Sequence, residues 1–205
     1  MSLVHELTRK PWLADEGSVT ENRSGRTFSI PSEKIALRVF LAVVTVLFSL
    51  MVVVYSDRMI LSDWRSLQEP WLLWLNTGVL IVASVAFQRA LISARSGRID
   101  GVKFGMWSAG ICTFAFLIGQ LWIAQQLSAA GYYADSSPAV AFLYLLSGAH
   151  GVHLVGGLVA WCRTALKIWR GQKLDQVFLS VELCAIYWHY LLGIWLVLFG
   201  LMVLT

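Results

Sequence analysis

Charge is what this chain has least of. Asp, Glu, Lys and Arg make up 14% of its 205 residues, where about a quarter is usual in a soluble domain. That excludes an ordinary water-soluble fold. Cysteine is scarce too. Cys112, Cys162 and Cys184 form no C-x-x-C pair and no Cys/His metal spacing, so each reads as a small hydrophobe. Proline is missing from every long apolar run, which argues against the broken helices of transporters. No internal repeat and no low-complexity stretch is present. Nor do short segments alternate between apolar and polar residues, which excludes a transmembrane β-barrel.

What the chain has instead is apolar length. Hydrophobic residues reach 58%, mean hydropathy is +0.67, and there are ten tryptophans, a residue favoured at bilayer interfaces. This composition predicts an all-α integral membrane bundle. Five apolar runs, at about 36–56, 71–93, 104–127, 139–162 and 178–204, are each long enough to cross roughly 30 Å of hydrocarbon as a helix. Residues 1–34 form a polar tail with mixed charge, and residues 35–205 the membrane domain. The first run starts too late for a cleaved signal segment. Short connections favour sequential helices as antiparallel neighbours in one bundle.

The basic residues set an expected orientation. Five crossings place fourteen Lys and Arg, among them Lys34, Arg98, Arg163 and Lys167, on the side of the N-terminal tail, and leave only Arg58 and Arg65 on the other. The positive-inside rule then makes the N-terminus cytoplasmic and puts the C-terminus outside. These cations suit anionic lipid. No aromatic-interleaved basic stretch is present, so nucleic acid is not an expected partner.

Two segments put ionisable groups inside apolar runs, where they are costly. One is Ser147-Gly148-Ala149-His150-Gly151-Val152-His153, and the other runs from Glu182 to Trp188-His189. His150 and His153 share one helix face. Counted from the ends of the fourth and fifth runs, His189 lies level with them and Glu182 lies shallower. This predicts a layer of three histidines with a carboxylate below it. The layer has three readings: imidazoles hydrogen-bonding across helices, haem or metal ligation, or a proton relay. On the first, replacing His150 by Leu leaves partner groups unpaired. Gly148, Gly151, Gly156 and Gly157, with Ser147 at small-xxx-small spacing to Gly151, predict a tight contact along the fourth helix. Gly193 and Gly200 suggest another on the fifth. Asn76, Thr77, Ser84, Gln88 and Gln120 are further candidates for buried interhelical bonds.

Together these residues resemble the haem-copper oxidase subunit III family. The Ser147–His153 segment, with Gly156 and Gly157, is similar to its T/S-G-x-H-G-x-H motif. Glu182, Trp188, His189 and Trp195 resemble its E-x5-W-H signature, and Leu75-Asn76-Thr77 its L-N-T segment. The likeness covers about residues 36–205 and matches the short, five-helix bacterial form. It implies a non-catalytic subunit of a respiratory terminal oxidase in the bacterial inner membrane, taking electrons from cytochrome c or quinol. Such a subunit carries no haem, copper or other cofactor of its own; these belong to the catalytic subunit I. Implied partners are subunit I, subunit II and phospholipid. A related nitric oxide reductase assembly is compatible with the same motifs, and a small stand-alone transporter built on the histidines is the alternative from another class. The chain departs from the pattern at its buried acids. Trp71, the Val43-Val44-Thr45 region, Ile123, Gln125, Gln126 and Leu192 stand where the family commonly places a carboxylate or one lies close by, leaving Glu182 as the one retained.

Overall fold

Helices with this much apolar surface pack by close backbone approach and buried polar bonds, because lipid offers no hydrophobic drive between them. The computed structural model describes residues 31–59, 71–133, 137–172 and 174–203. The described residues are all helical apart from turns and short connections: α1 Ser32–Arg58, α2 Trp71–Arg95, α3 Ile99–Ala129, α4 Pro138–Trp169 and α5 Leu174–Val203. All five are long and apolar enough to span a membrane. Each matches an expected run but extends past it, most of all α4, which continues to Trp169 rather than ending at 162. The helical hydrogen-bond ladder does not stop where hydrophobicity does. Residues 1–30 of the expected tail, the 60–70 connection with Arg65 and Glu69, and Lys173 lie outside the described residues.

Three helices end in one way. Gly97, Gly131 and Gly171 have φ of +71°, +86° and +71°, a region open to glycine at little cost. Behind each, the next N–H reaches back to a carbonyl of the last turn: Arg98 to Ser93 at 3.0 Å, Tyr132 to Leu127 at 3.0 Å and Gln172 to Lys167 at 3.3 Å. This pairing satisfies carbonyls left over at helix C-termini. At the other end, the α4 cap is Ser137, whose side chain accepts from the Val140 N–H at 3.4 Å, with Pro138 in the first turn.

The tightest seam runs between α2 and α3. Ala83, Ala86, Ala90 and Ala94 line the α2 side, and all four are buried. Opposite them, a Cβ on Gly105 would lie 2.8 Å from the Ala90 methyl and 2.9 Å from the Ala86 carbonyl oxygen. On Gly119 it would lie 2.5 Å from Asn76 Oδ1, and on Gly110 it would enter the Trp161 indole of α4. The expected glycine contact along α4 is found only at Gly157, where a Cβ would meet Tyr187 at 2.6 Å. Gly148, Gly151 and Gly156 face open space, as do Gly193 and Gly200. Three of the four α4 glycines therefore lie off the buried stripe that carries His150, Leu154, Gly157 and Trp161.

The first helix is held by larger side chains. Val44, Phe48 and Tyr55 of α1 cluster with Leu146 of α4 and Leu198 of α5. The Tyr190 hydroxyl reaches Thr45 Oγ1 at 2.7 Å and the Leu41 carbonyl at 3.1 Å.

A pair of glycine substitutions tests this packing. Gly110→Ala is expected to destabilise the bundle by about 1–3 kcal/mol, the usual cost of overpacking. Gly148→Ala should be neutral or stabilising, since alanine gains up to about 1 kcal/mol over glycine in a helix. Thermal unfolding in detergent separates the two, and equal shifts would contradict the seam.

Candidate functional site

Buried N–H and O–H groups in a membrane bundle must pair within the protein. Here three indoles do much of that pairing. Trp161 Nε1 donates to the Met106 carbonyl at 2.8 Å, Trp188 Nε1 to Thr113 Oγ1 at 2.9 Å, and Trp195 Nε1 to Thr77 Oγ1 at 3.0 Å. Each threonine donates its own hydrogen down its helix, Thr113 to the Ala109 carbonyl at 2.8 Å and Thr77 to the Leu73 carbonyl at 2.9 Å. The hydroxyl oxygen is then free to accept from the side. A back-bonded threonine in effect turns a longitudinal carbonyl into a lateral acceptor. Asn76 adds a further cross-link, its amide donating to the Phe116 carbonyl at 3.1 Å. Phe87 packs on Trp188 with ring centroids 4.4 Å apart, and Phe116 on Trp195 at 5.1 Å.

The three histidines do not form the expected layer. His150 is wholly buried, with ring centroids 5.0 Å from Trp195 and 5.9 Å from Phe116. Neither of its nitrogens bonds a described residue. His153 is half-buried and places Nδ1 2.7 Å from the Ala149 carbonyl. A carbonyl can only accept, so Nδ1 carries the proton. The His153 carbonyl in turn accepts from the Tyr187 hydroxyl at 2.8 Å, and Phe48 of α1 lies 5.3 Å from its ring. His189 faces away from both. It is exposed and meets Ser84 Oγ of α2 through Nδ1 at 3.2 Å.

Two geometric facts explain the dispersal. His150 packs level with Trp195 and Gly157 level with Trp188, so His189 stands near position 156, beyond His153. Both helices run past their apolar stretches, α4 by seven residues at its C-terminal end and α5 by four at its N-terminal end. Adjacent residues on a helix also point about 100° apart, so burying Trp188 turns its neighbour His189 toward α2. Glu182 is nearer the start of α5, as expected, and pairs with Lys34 of α1 at 2.7 Å, the two side chains 17% and 26% exposed. The Oε2 that meets Lys34 is itself shut from solvent, so the pair is partly desolvated.

Among the described residues no three His, Cys, Asp or Glu side chains converge on a point that could hold a metal ion. Cys184 is buried with its thiol 3.6 Å from Thr164 Oγ1, while Cys162 is exposed. The indole partner Thr113 and the tyrosines Tyr187 and Tyr190 escape notice in the sequence. A tryptophan well inside an apolar run, rather than at its end, was the available signal, because a buried indole N–H demands an acceptor.

The chain is distantly similar to proteins named cytochrome c oxidase subunit 3. The Mycobacterium leprae relative, named as probable, is 30% identical over 128 residues, covering 60% of this chain and 61% of its own length. The Thermostichus vulcanus protein is 26% identical over 132 residues, covering 62% and 63%. That of Corynebacterium diphtheriae is 25% identical over 142 residues, covering 67% and 69%. For the mycobacterial relatives the matched segment spans less than two thirds of their length. No protein-family model matches the chain.

Two substitutions distinguish paired from unpaired polar groups. Thr113→Val keeps the shape but leaves the Trp188 N–H without its acceptor, at an expected cost of about 1–3 kcal/mol. His150→Leu removes a buried imidazole that bonds nothing described, so stability should hold or rise. That reverses the expectation from sequence that partner groups would be left unpaired. Thermal midpoints of the purified chain measure both, and a larger drop for His150→Leu than for Thr113→Val would refute the assignment.

Proposed function

We propose that this chain is a non-catalytic accessory subunit of a respiratory terminal oxidase, like subunit III, which packs against the catalytic subunit I in a bacterial inner membrane. The similarity to proteins named cytochrome c oxidase subunit 3 carries the reading. The internal geometry supports it. The residues at the family-like motif positions Asn76, Thr77, Trp188 and Trp195 build the lateral bonds of the core. On this reading haem and copper reside in the partner, subunit II completes the assembly, and the basic ends of the helices lie on the cytoplasmic side.

Phospholipid is the second partner proposed. A groove of about 410 Å³ lies between α4 and α5, with Leu37 of α1 at its side. Arg163 and Lys167 supply cations at one part of it, and Lys167 Nζ bonds Ser180 Oγ at 3.2 Å. Gly156 and Val159 extend it with apolar surface. A phosphate beside the cations and an acyl chain along the apolar part fit this chemistry.

Two experiments test the proposal. Isolating the complex through a tag on this chain should bring down a haem-bearing membrane subunit, visible in the reduced-minus-oxidised spectrum. Isolation of the tagged chain without any haem protein refutes the reading. Within that complex, Glu182→Gln keeps shape while removing the ionisable proton and the Lys34 charge pair. Assembly and oxygen consumption should stay within about twofold, because the glutamine amide oxygen can still accept from Lys34. A large, pH-dependent loss of turnover with intact assembly would instead make Glu182 part of a proton path.

A further inference from the structure

Hydrocarbon offers no hydrogen bonds, so a polar side chain halfway along a spanning helix belongs on an inward face. An imidazole departs from this rule: His189, near the middle of α5, is exposed, and beside it Gln88, two turns from the end of α2, is exposed as well. They share one surface. Ser84, one turn before Gln88, bonds His189, and Trp74 on the same side of α2 packs edge-on against Phe199 of α5 at 4.7 Å. The surface around them is apolar: Ile81, Val85 and Ile186 are 41%, 48% and 42% exposed.

The bond to Ser84 also orients the imidazole. Ser84 is buried and its hydroxyl makes no back-bond to its own helix. Nδ1 is the acceptor within reach of its hydrogen, and with Nδ1 accepting, the ring N–H is assigned to Nε2, at the opposite edge. No described residue accepts from Nε2. The result is a hydrogen-bond donor at mid-helix depth on an exposed face, where lipid tails supply no acceptor.

We propose that the α2–α5 face around His189 and Gln88 is covered, in the assembled complex, by a transmembrane helix of a partner subunit that presents a hydrogen-bond acceptor to His189 Nε2. The proposal rests on the accessory-subunit reading and specifies which face docks. An acceptor of this kind is a Ser or Thr hydroxyl, an amide carbonyl or a carboxylate. Gly78 and Gly193, on the exposed sides of α2 and α5, meet nothing within 4 Å where a Cβ would stand, so another backbone can come close there. The outer face of α1 differs in kind. Its exposed residues Val39, Val43, Val46, Leu50 and Val53 are apolar, with the small hydroxyl of Ser49 among them, and no imidazole or amide stands there, which suits acyl chains.

The test places a photoreactive benzophenone amino acid at Val85 or Ile186 of the full chain in native membranes, with Val46 as the comparison site. Irradiation should give adducts with a second, different membrane subunit from positions 85 and 186, and lipid adducts alone from position 46. Lipid adducts alone at 85 and 186, adducts between two copies of this chain, or equal subunit adducts from position 46 would each overturn the proposal. Recovery of the haem-bearing subunit is measured first on the unaltered tagged chain. If nothing is recovered, the accessory-subunit reading and the docking face both fall; if recovery is normal but 85 and 186 yield lipid alone, only the docking face falls. His189→Leu should cut the recovered partner about tenfold, which corresponds to about 1.4 kcal/mol, with His189→Gln retaining more of it. Undiminished recovery with His189→Leu would show that the bond does not exist.

Discussion

The bundle depends on a threonine hydroxyl that serves two masters. Thr113 and Thr77 each give their hydrogen to a carbonyl one turn back and accept an indole N–H from α5. Without such a bond the indole N–H is a buried donor with no acceptor, at about 1–3 kcal/mol each. Trp188 and Trp195 therefore fix both the depth and the rotation of α5 against α2 and α3. Their burial in turn sends His189 outward and brings His150 under an aromatic lid. The positions of all the notable polar groups follow from where these two indoles must go.

Much of the architecture was legible from hydropathy. Five continuous apolar runs left little freedom in helix number, and the helices match them to within a few residues at most ends. The exception is α4, whose last turns carry Arg163, Lys167 and Trp169, side chains that keep a helix in the interfacial layer without looking apolar. That small error in length was enough to misalign α4 against α5. The glycine-rich stretch of α4 is a different case. Spacing shows that residues share a face but not what that face meets, and three of those glycines meet nothing. The working seam, Gly105, Gly110 and Gly119 opposite alanines, Trp161 and Asn76, is spread along α3 at wider intervals and does not announce itself as a motif. Asn76 was foreseen as a buried cross-link because an amide inside an apolar run has few other uses.

The acid-poor interior has a structural counterpart. Thr45, near the middle of α1, places its hydroxyl 2.7 Å from that of Tyr190. A neutral pair of hydroxyls ties α1 to α5 there without the desolvation cost of a carboxylate. Glu182, the acid that remains, is joined to Lys34 and is partly exposed. The interior thus bonds through neutral donors and acceptors, while charge is kept to the helix ends.

The turn between α2 and α3 has a consequence for how the chain is made. Only Ser96, Gly97 and Arg98 separate the two helices, and the glycine-alanine seam joins them along much of their length. The contacts of Gly105 with Ala86 and Ala90, and of Gly119 with Asn76, need no residue beyond α3; Gly110 alone waits for Trp161 of α4. The pair is therefore a helical hairpin able to enter the bilayer as one piece during translation, its closest contacts already made. It is a template on which α4 and α5 close once their tryptophans arrive.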